Sequence, residues 1–162
     1  MRWRSRWTAV AIAVVANVAG APAGAGLLDS PPPSLGTDPA ATVVYRMGAV
    51  HYEPGWVDTT ITCTNLAPTP AVIALEVFDE TDRRVGELAK ATVAPNAAVT
   101  FATSAGPNPN AVAIGGLPAL DHGKARVSAS TIKLNCSAVN HMRADDGSMK
   151  EAPLELVKKV AF

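Results

Sequence analysis

The chain is 162 residues long and carries 14 basic and 14 acidic side chains, which give a formal net charge of zero. A balanced charge argues against a broad basic surface of the kind that binds nucleic acid or an anionic membrane. Aromatic residues make up 5% of the chain, so we expect a core built mainly from valine, isoleucine, leucine and alanine.

The first 25 residues have the three-part layout of a secretory signal peptide. Three arginines precede an apolar run over residues 8–18, and small residues follow at 19–26. This order is typical of export signals, and it predicts cleavage after Ala23 or Ala25. A retained membrane anchor is the alternative, although the apolar run is shorter than the roughly 20 residues that a spanning helix needs.

Cleavage after the signal would leave about 137 of the 162 residues, enough for one domain with one core. It would remove three arginines and no acids, so 11 basic and 14 acidic side chains would remain, a net charge of −3. No second apolar stretch reaches spanning length. We therefore expect a soluble protein, secreted or periplasmic, that has no membrane span after cleavage.

The mature chain divides into a linker and one domain. Residues 26–41 include three consecutive prolines and predict an extended, proline-rich linker. Residues 42–162 form the predicted domain, in which β-branched runs alternate with turns rich in proline, glycine and asparagine. The predicted strands are residues 42–52 with a bulge near Gly48, 56–66, 71–79, 98–102 and 111–114.

Two of these runs show the alternation of a strand most clearly. In 56–66, Val57, Ile61 and Cys63 share one parity, while threonines occupy the other. This alternation predicts a strand with one buried and one exposed face. Residues 71–79 place apolar side chains on both parities, which makes this the strongest predicted strand.

Three further segments are less regular, and two of them fit more than one interpretation. Residues 85–93 fit either a strand or a short helix. Residues 124–139, after a predicted loop at 117–123, read as one long strand whose apolar parity shifts near Ser130, which predicts a bulge. Residues 154–162 fit a final strand, which we prefer, or an amphipathic helical turn.

Short strands at intervals of about 8–12 residues predict an all-β fold, an antiparallel β-sandwich. Cys63 and Cys136 are the only cysteines, and each lies in a strand-like run. In an oxidising compartment they predict one disulfide. It would close a loop of roughly 74 residues and contribute about 4 kcal/mol, in the manner of the bridge that joins the two sheets of an immunoglobulin domain.

The domain also carries four structural motifs: Ile61-Thr62-Cys63-Thr64-Asn65, Glu76-Val77-Phe78-Asp79, Val93-Ala94-Pro95 before residues 99–103, and the late Lys133-Leu134-x-Cys136. Together they resemble small exported bacterial β-sandwich proteins, immunoglobulin- or fibronectin-like, of uncharacterised function. The resemblance implies a sandwich and an export route, and it brings no catalytic or binding residues with it.

A copper site is the alternative use of the second cysteine. Cys136 is followed five residues later by His141, a spacing similar to that of type-1 copper proteins, with Met142 and Met149 close by. A second histidine would have to be His51 or His122. A looser metal site would use His141, Met142 and Met149 alone. The methionine spacings depart from the copper pattern, so we assign no metal and no cofactor.

The sequence contains no recognisable catalytic motif. It has no Gly-x-Ser-x-Gly, no calcium-loop rhythm and no glycine-rich phosphate cradle. We therefore expect a non-enzymatic structural or protein-interaction module whose partner is another exported or cell-envelope protein. Predicted contact loops are residues 79–84, 105–110 and 117–124. A periplasmic copper-binding protein and a hydrolase with an unrecognised site remain the alternatives.

Overall fold

A computed structural model describes residues 30–36, 40–104 and 110–159. The predicted signal peptide and most of the predicted loop at 105–110 lie outside these ranges. The described chain forms ten strands and no helix, so within it no helix is long and apolar enough to cross a membrane. The strands are β1 (Thr42–Tyr52), β2 (Val57–Asn65), β3 (Ala71–Phe78), β4 (Arg84–Val93), β5 (Ala98–Ala102), β6 (Val112–Ala113), β7 (Leu120–Ala129), β8 (Leu134–Arg143), β9 (Met149–Leu154) and β10 (Leu156–Lys158).

The strands build two five-stranded sheets that pack face to face. Sheet A has the order β10-β1-β7-β3-β4, and sheet B has the order β6-β5-β2-β8-β9. Every pairing is antiparallel except the short one between β5 and β6. The predicted all-β, antiparallel sandwich is confirmed. Residues 85–93, which fitted either a strand or a short helix, belong to strand β4.

The core lies between the sheets and follows the alternation of the strands. On β2, Ile61 and Cys63 are fully buried, while Thr60, Thr62 and Thr64 on the other parity are partly exposed. Phe101 of β5 and Leu75 of β3 are also fully buried, so both sheets contribute to one cluster. Apolar burial of this kind is the main favourable term in folding.

The predicted bulge near Ser130 is wrong. Residues 124–139 are not one strand: β7 ends at Ala129 in sheet A, and β8 begins at Leu134 in sheet B. The apolar parity shifts because the chain crosses from one sheet to the other and each strand turns its own apolar set towards the shared core. The predicted loop at 117–123 is also too long, because β7 already begins at Leu120.

The bulge near Gly48 is confirmed, and it joins the two sheets. The register of β1 shifts between Met47 and Val50, and Ala49 has a positive φ of 56°. The carbonyl of Ala49 accepts a hydrogen bond from Nδ2 of Asn140 in sheet B, at 3.1 Å. Oγ1 of Thr59 lies 2.6 Å from Oδ1 of the same asparagine. This buried polar network fixes one end of the sandwich.

The disulfide Cys63–Cys136 is present, but it does not join the two sheets. The two cysteines face each other on neighbouring strands β2 and β8 of sheet B, with their Cα atoms 4.1 Å apart. The expected inter-sheet arrangement is therefore wrong. A bridge between adjacent strands needs no reach across the roughly 10 Å that separates packed sheets.

Part of the predicted linker lies against the domain. Residues 30–36, which we name the strap, pass over the outer face of sheet A. The carbonyls of Ser30 and Pro31 accept hydrogen bonds from the guanidinium of Arg126 on β7. Leu35 at the other end of the strap is buried.

Candidate functional site

A groove opens at the end of sheet B where β2 begins and β8 ends. The strand register places Asp58 opposite His141 and Val57 opposite Met142. The β8–β9 hairpin continues the same edge by placing Met149 opposite Arg143. Two regions that are distant in sequence, the start of β2 and the β8–β9 hairpin, therefore meet at this end of the sheet.

The turn before β2 supplies the aromatic wall of the groove. Glu53, Pro54 and Gly55 form the predicted turn, with Gly55 at a φ of 83°. The N–H of Trp56 donates to the carbonyl of Glu53 at 2.9 Å, and the carbonyl of Trp56 accepts from the N–H of Arg143 at 2.7 Å. These bonds fix the backbone of Trp56 while half of the residue's surface stays exposed.

The groove encloses about 360 Å³. Its walls combine apolar side chains with a small number of polar and charged ones, the composition typical of binding sites. The lining residues are Gly55, Trp56, Val57, Asp58, Ser104, His141, Arg143, Gly147 and Met149.

Asp58 is the most unusual residue of this set. It is 7% exposed, and its Oδ1 accepts one hydrogen bond, from Oγ1 of Thr103 at 3.3 Å. Its Oδ2 is buried and has no hydrogen-bond partner among the residues that the structure describes. Buried carboxylate oxygens are normally paired, because an unpaired one loses its hydration without compensation.

His141 is held by polar contacts at both ring nitrogens. Its Nε2 lies 2.9 Å from Oγ1 of Thr60, and its Nδ1 lies 3.4 Å from Oε1 of Glu151. A metal ion bound through either nitrogen would have to replace one of these contacts. The ring is therefore oriented as a hydrogen-bonding group of the groove wall.

The three residues of the alternative metal site do not lie on one face. His141 and Met149 both line the groove, whereas Met142 follows the core-facing parity of β8, next to Val57. Within the ranges that the structure covers, no three His, Cys, Asp or Glu side chains are grouped as metal ligands. The disulfide occupies Cys136, so that sulfur is not free to serve as a copper thiolate.

The other two histidines lie together on sheet A. The ring centroids of His51 on β1 and His122 on β7 are 5.9 Å apart. Neither lines the groove.

The hairpin turn beside the groove has its own polar support. Oδ1 of Asp146 accepts hydrogen bonds from the N–H and the Oγ of Ser148, at 2.9 and 2.6 Å. These bonds favour the ionised carboxylate and hold the pKa of Asp146 below its usual value. This turn places Gly147 and Met149 in the wall of the groove.

The predicted contact loops contribute little to this site. Residues 79–84 form a tight turn at the opposite sheet, where Asp79 bonds to Thr81 and Arg83. Most of 117–124 is the beginning of β7. Sequence reasoning missed Trp56, Asp58 and Arg143. The available signals were an aromatic residue directly after a turn and a carboxylate at the head of a threonine-rich strand face.

No protein-family model matches this chain, and no curated protein or solved structure matches it either.

Proposed function

We propose that this chain is an exported, non-catalytic β-sandwich module that binds another exported or cell-envelope protein through the groove at the end of sheet B. The observation that carries the proposal is the exposed apolar surface at that end. Large apolar side chains with at least two-fifths of their surface exposed number five in the described chain. Two of them, Trp56 and Met149, line the groove, and a third, Met142, lies at the same end of the sheet on the core-facing parity of β8.

These residue types suit protein recognition. Tryptophan, methionine and arginine are enriched in interfaces, and energetically dominant contacts are often made by tryptophan and arginine. Arg143 lies beside Trp56 in the groove wall. The partner segment that fits would lay apolar side chains against the exposed surfaces of Trp56 and Met149.

Export is supported by the disulfide and by the sequence of the first 25 residues. Disulfides persist in oxidising compartments and are rare in reducing ones. Together with the predicted signal, this favours a secreted or periplasmic location. The resemblance to small exported bacterial sandwich proteins, immunoglobulin- or fibronectin-like, belongs to the same proposal.

Site-specific photo-crosslinking tests the proposal in the organism that makes the protein. A photoreactive phenylalanine analogue replaces Trp56 in one variant and Leu66 in a matched control. The two positions have nearly equal exposure, 50% and 49%, but lie beyond opposite ends of β2. We expect position 56 to capture one envelope or secreted protein and position 66 to capture none.

A second variant tests whether capture depends on the apolar side chains of the groove. Met149→Glu in the position-56 variant should abolish capture, because an apolar partner group would have to desolvate the new carboxylate in the groove wall. An unchanged melting temperature and an intact disulfide by mass would show that the fold is retained. Equal capture from both positions, or capture that survives Met149→Glu, would contradict the proposal.

A further inference from the structure

The outer face of sheet A is buried where β3 and β7 lie side by side. The outward side chains there, Ala74, Glu76, Phe78, Arg126 and Ser128, are each at most 4% exposed. An outer sheet face is normally open to water, so something must cover it. In the described chain, the strap (residues 30–36) lies there.

Strap and sheet form a second groove, of about 260 Å³, lined by Ser30, Pro31, Pro33, Glu76, Phe78, Arg84 and Arg126. It lies on the opposite sheet from the groove of the proposed function. The inference that follows is therefore independent of that proposal.

Arg126 is the centre of the contact between strap and sheet. Its Nε donates to Oε2 of Glu76 at 2.6 Å, an ion pair in which both side chains are almost fully buried. Its Nη1 donates to the carbonyl of Ser30 at 2.7 Å, and its Nη2 donates to the carbonyl of Pro31 at 3.1 Å. The guanidinium carbon lies 5.2 Å from the centre of the Phe78 ring.

The hydrogen bonds of Arg126 to Ser30 and Pro31 are made to backbone carbonyls of the strap. The strap contributes two successive carbonyl oxygens and proline rings, and Oγ of Ser30 lies 3.3 Å from Nη1 of Arg126. Proline residues lack an N–H and favour the polyproline II conformation, in which the carbonyls point outwards unpaired. A fixed arginine fork matches two such carbonyls well.

We propose that Glu76, Phe78 and Arg126 form a binding site for an extended proline-rich chain. The strap is its resident ligand, and a proline-rich segment of a partner protein is the ligand that displaces it. An aromatic surface combined with donors to backbone carbonyls is the general means by which proteins bind polyproline II segments. Glu76 holds the guanidinium in position, Phe78 lines the groove with its ring against the guanidinium, and Arg126 makes the hydrogen bonds to the strap. The strap precedes β1, so it can leave the site without removing a strand from either sheet.

The first test weakens the strap in the full mature chain. Pro31→Gly, Pro32→Gly and Pro33→Gly remove the proline rings of the strap and leave every residue of the site on sheet A unchanged. The probe is a fluorescent synthetic peptide with the sequence of residues 30–36, and its control has glycine at the three proline positions. We expect the variant to bind the proline peptide at least tenfold more tightly than the parent, and the glycine peptide at least tenfold more weakly than the proline peptide.

Adding Arg126→Lys to the strap variant should weaken its binding of the proline peptide tenfold or more. The reason is that an ammonium group cannot donate to two carbonyls in a fork. Arg83→Lys, at an exposed arginine outside this groove, is the matched control and should bind as before. A folded strap variant that binds neither peptide would overturn the proposal. The proposal would also be overturned if the parent forms a dimer without added peptide and the strap variant does not. The ligand of the site would then be the strap of a second copy of this chain.

A second test starts from the folded parent. A protease site placed within residues 37–39 allows the strap to be cut after folding. We expect the cut strap to be exchanged by the labelled proline peptide, with the β-sheet circular dichroism unchanged. If the site takes up no labelled peptide after cutting, the site does not bind proline-rich chains in trans.

Discussion

On sheet A, the outward side chains at the centre of β3 and β7 (Ala74, Glu76, Phe78, Arg126 and Ser128) are at most 4% exposed, whereas on sheet B the outward threonines of β2 are partly exposed. The sequence already differs between these strands. β3 carries apolar residues on both parities, the pattern of a strand buried on two faces, and β2 alternates apolar residues with threonine. The comparison shows that a continuously apolar strand in an antiparallel sandwich indicates a covered outer face, and that the cover can come from outside the sheets.

The two sheets also differ in what holds their strands together. Sheet B has the covalent link between β2 and β8, and sheet A has the buried pair of Glu76 and Arg126 between β3 and β7. Each link can be broken by itself, which separates their contributions.

Replacing both cysteines, Cys63→Ala with Cys136→Ala, should have the largest effect. The chain-entropy model for a loop of this length predicts a loss of about 4 kcal/mol in the free energy of unfolding. Urea denaturation of the variant and the parent measures the difference. Thr62→Ala with Ser137→Ala, the neighbouring outward pair of the same two strands, is the control and should cost less than about 1 kcal/mol. A loss from the cysteine variant no larger than that of the control would show that the bridge does not constrain the unfolded chain.

Breaking the ion pair of sheet A should cost somewhat less. Arg126→Met leaves the carboxylate of Glu76 buried with only the weaker contact to Arg84, which is 3.7 Å away and half exposed. We expect a loss of about 3 kcal/mol, because removal of one partner leaves an uncompensated buried charge.

Arg84→Met is the matched control for that variant, since it removes the other arginine from the same carboxylate. It should cost less than about 1 kcal/mol, because exposed ion pairs contribute little. The same denaturation measurement applies, and equal losses from the two variants would refute the distinction between the buried and the exposed arginine.

The smallest expected effect compares the hairpin tips of the two sheets. Asp79 on sheet A accepts hydrogen bonds from Thr81 and Arg83, and Asp146 on sheet B accepts them from Ser148. These bonds lower the pKa of both carboxyl groups. A lowered folded-state pKa stabilises the fold above the unfolded value of about 3.9, and this contribution disappears as the pH falls through the folded-state pKa.

Asp79→Asn and Asp146→Asn should therefore lower the melting temperature slightly at pH 7, and the deficit should shrink as the pH falls below about 3.9. Thermal unfolding monitored by circular dichroism from pH 7 to pH 2 measures it. Asp145→Asn, at the exposed neighbouring position, provides the control. A difference in melting temperature that grows as the pH falls would contradict a lowered pKa of the two carboxyl groups in the folded state.

The strand pattern predicted most of the sandwich, because local alternation decides which side chains face the core. It failed at residues 130–133, because a bulge within one strand and a crossing between two sheets produce the same parity shift. Which strands become neighbours is decided by packing over long sequence distances. For that reason the pairing of Cys63 with Cys136 was predictable and their position in one sheet was not.

The groove of sheet B was harder to predict than the fold. Trp56 and Arg143 are brought together by the β2–β8 register, which no local pattern contains. Asp58 occupies the same parity as the partly exposed threonines of β2, so strand alternation by itself does not indicate that its carboxylate is buried and bonded to Thr103. The immunoglobulin- or fibronectin-like resemblance stays a prediction.

Linking two neighbouring strands decides how this domain would respond to tension. A force applied at the two ends of the chain passes directly from Cys63 to Cys136, so the 73-residue separation between them is shielded. At about 3.4 Å per residue, roughly 250 Å of chain cannot be drawn out while the bridge is intact. Strands β3 to β7 lie within that closed loop, while β1 and β10, at one side of sheet A, lie outside it. Pulling would thus separate β10 from β1 and β1 from β7, while β3, β4 and β7 stay paired within the closed loop. The chain between the two cysteines adds no length to a stretched molecule as long as the bridge is intact.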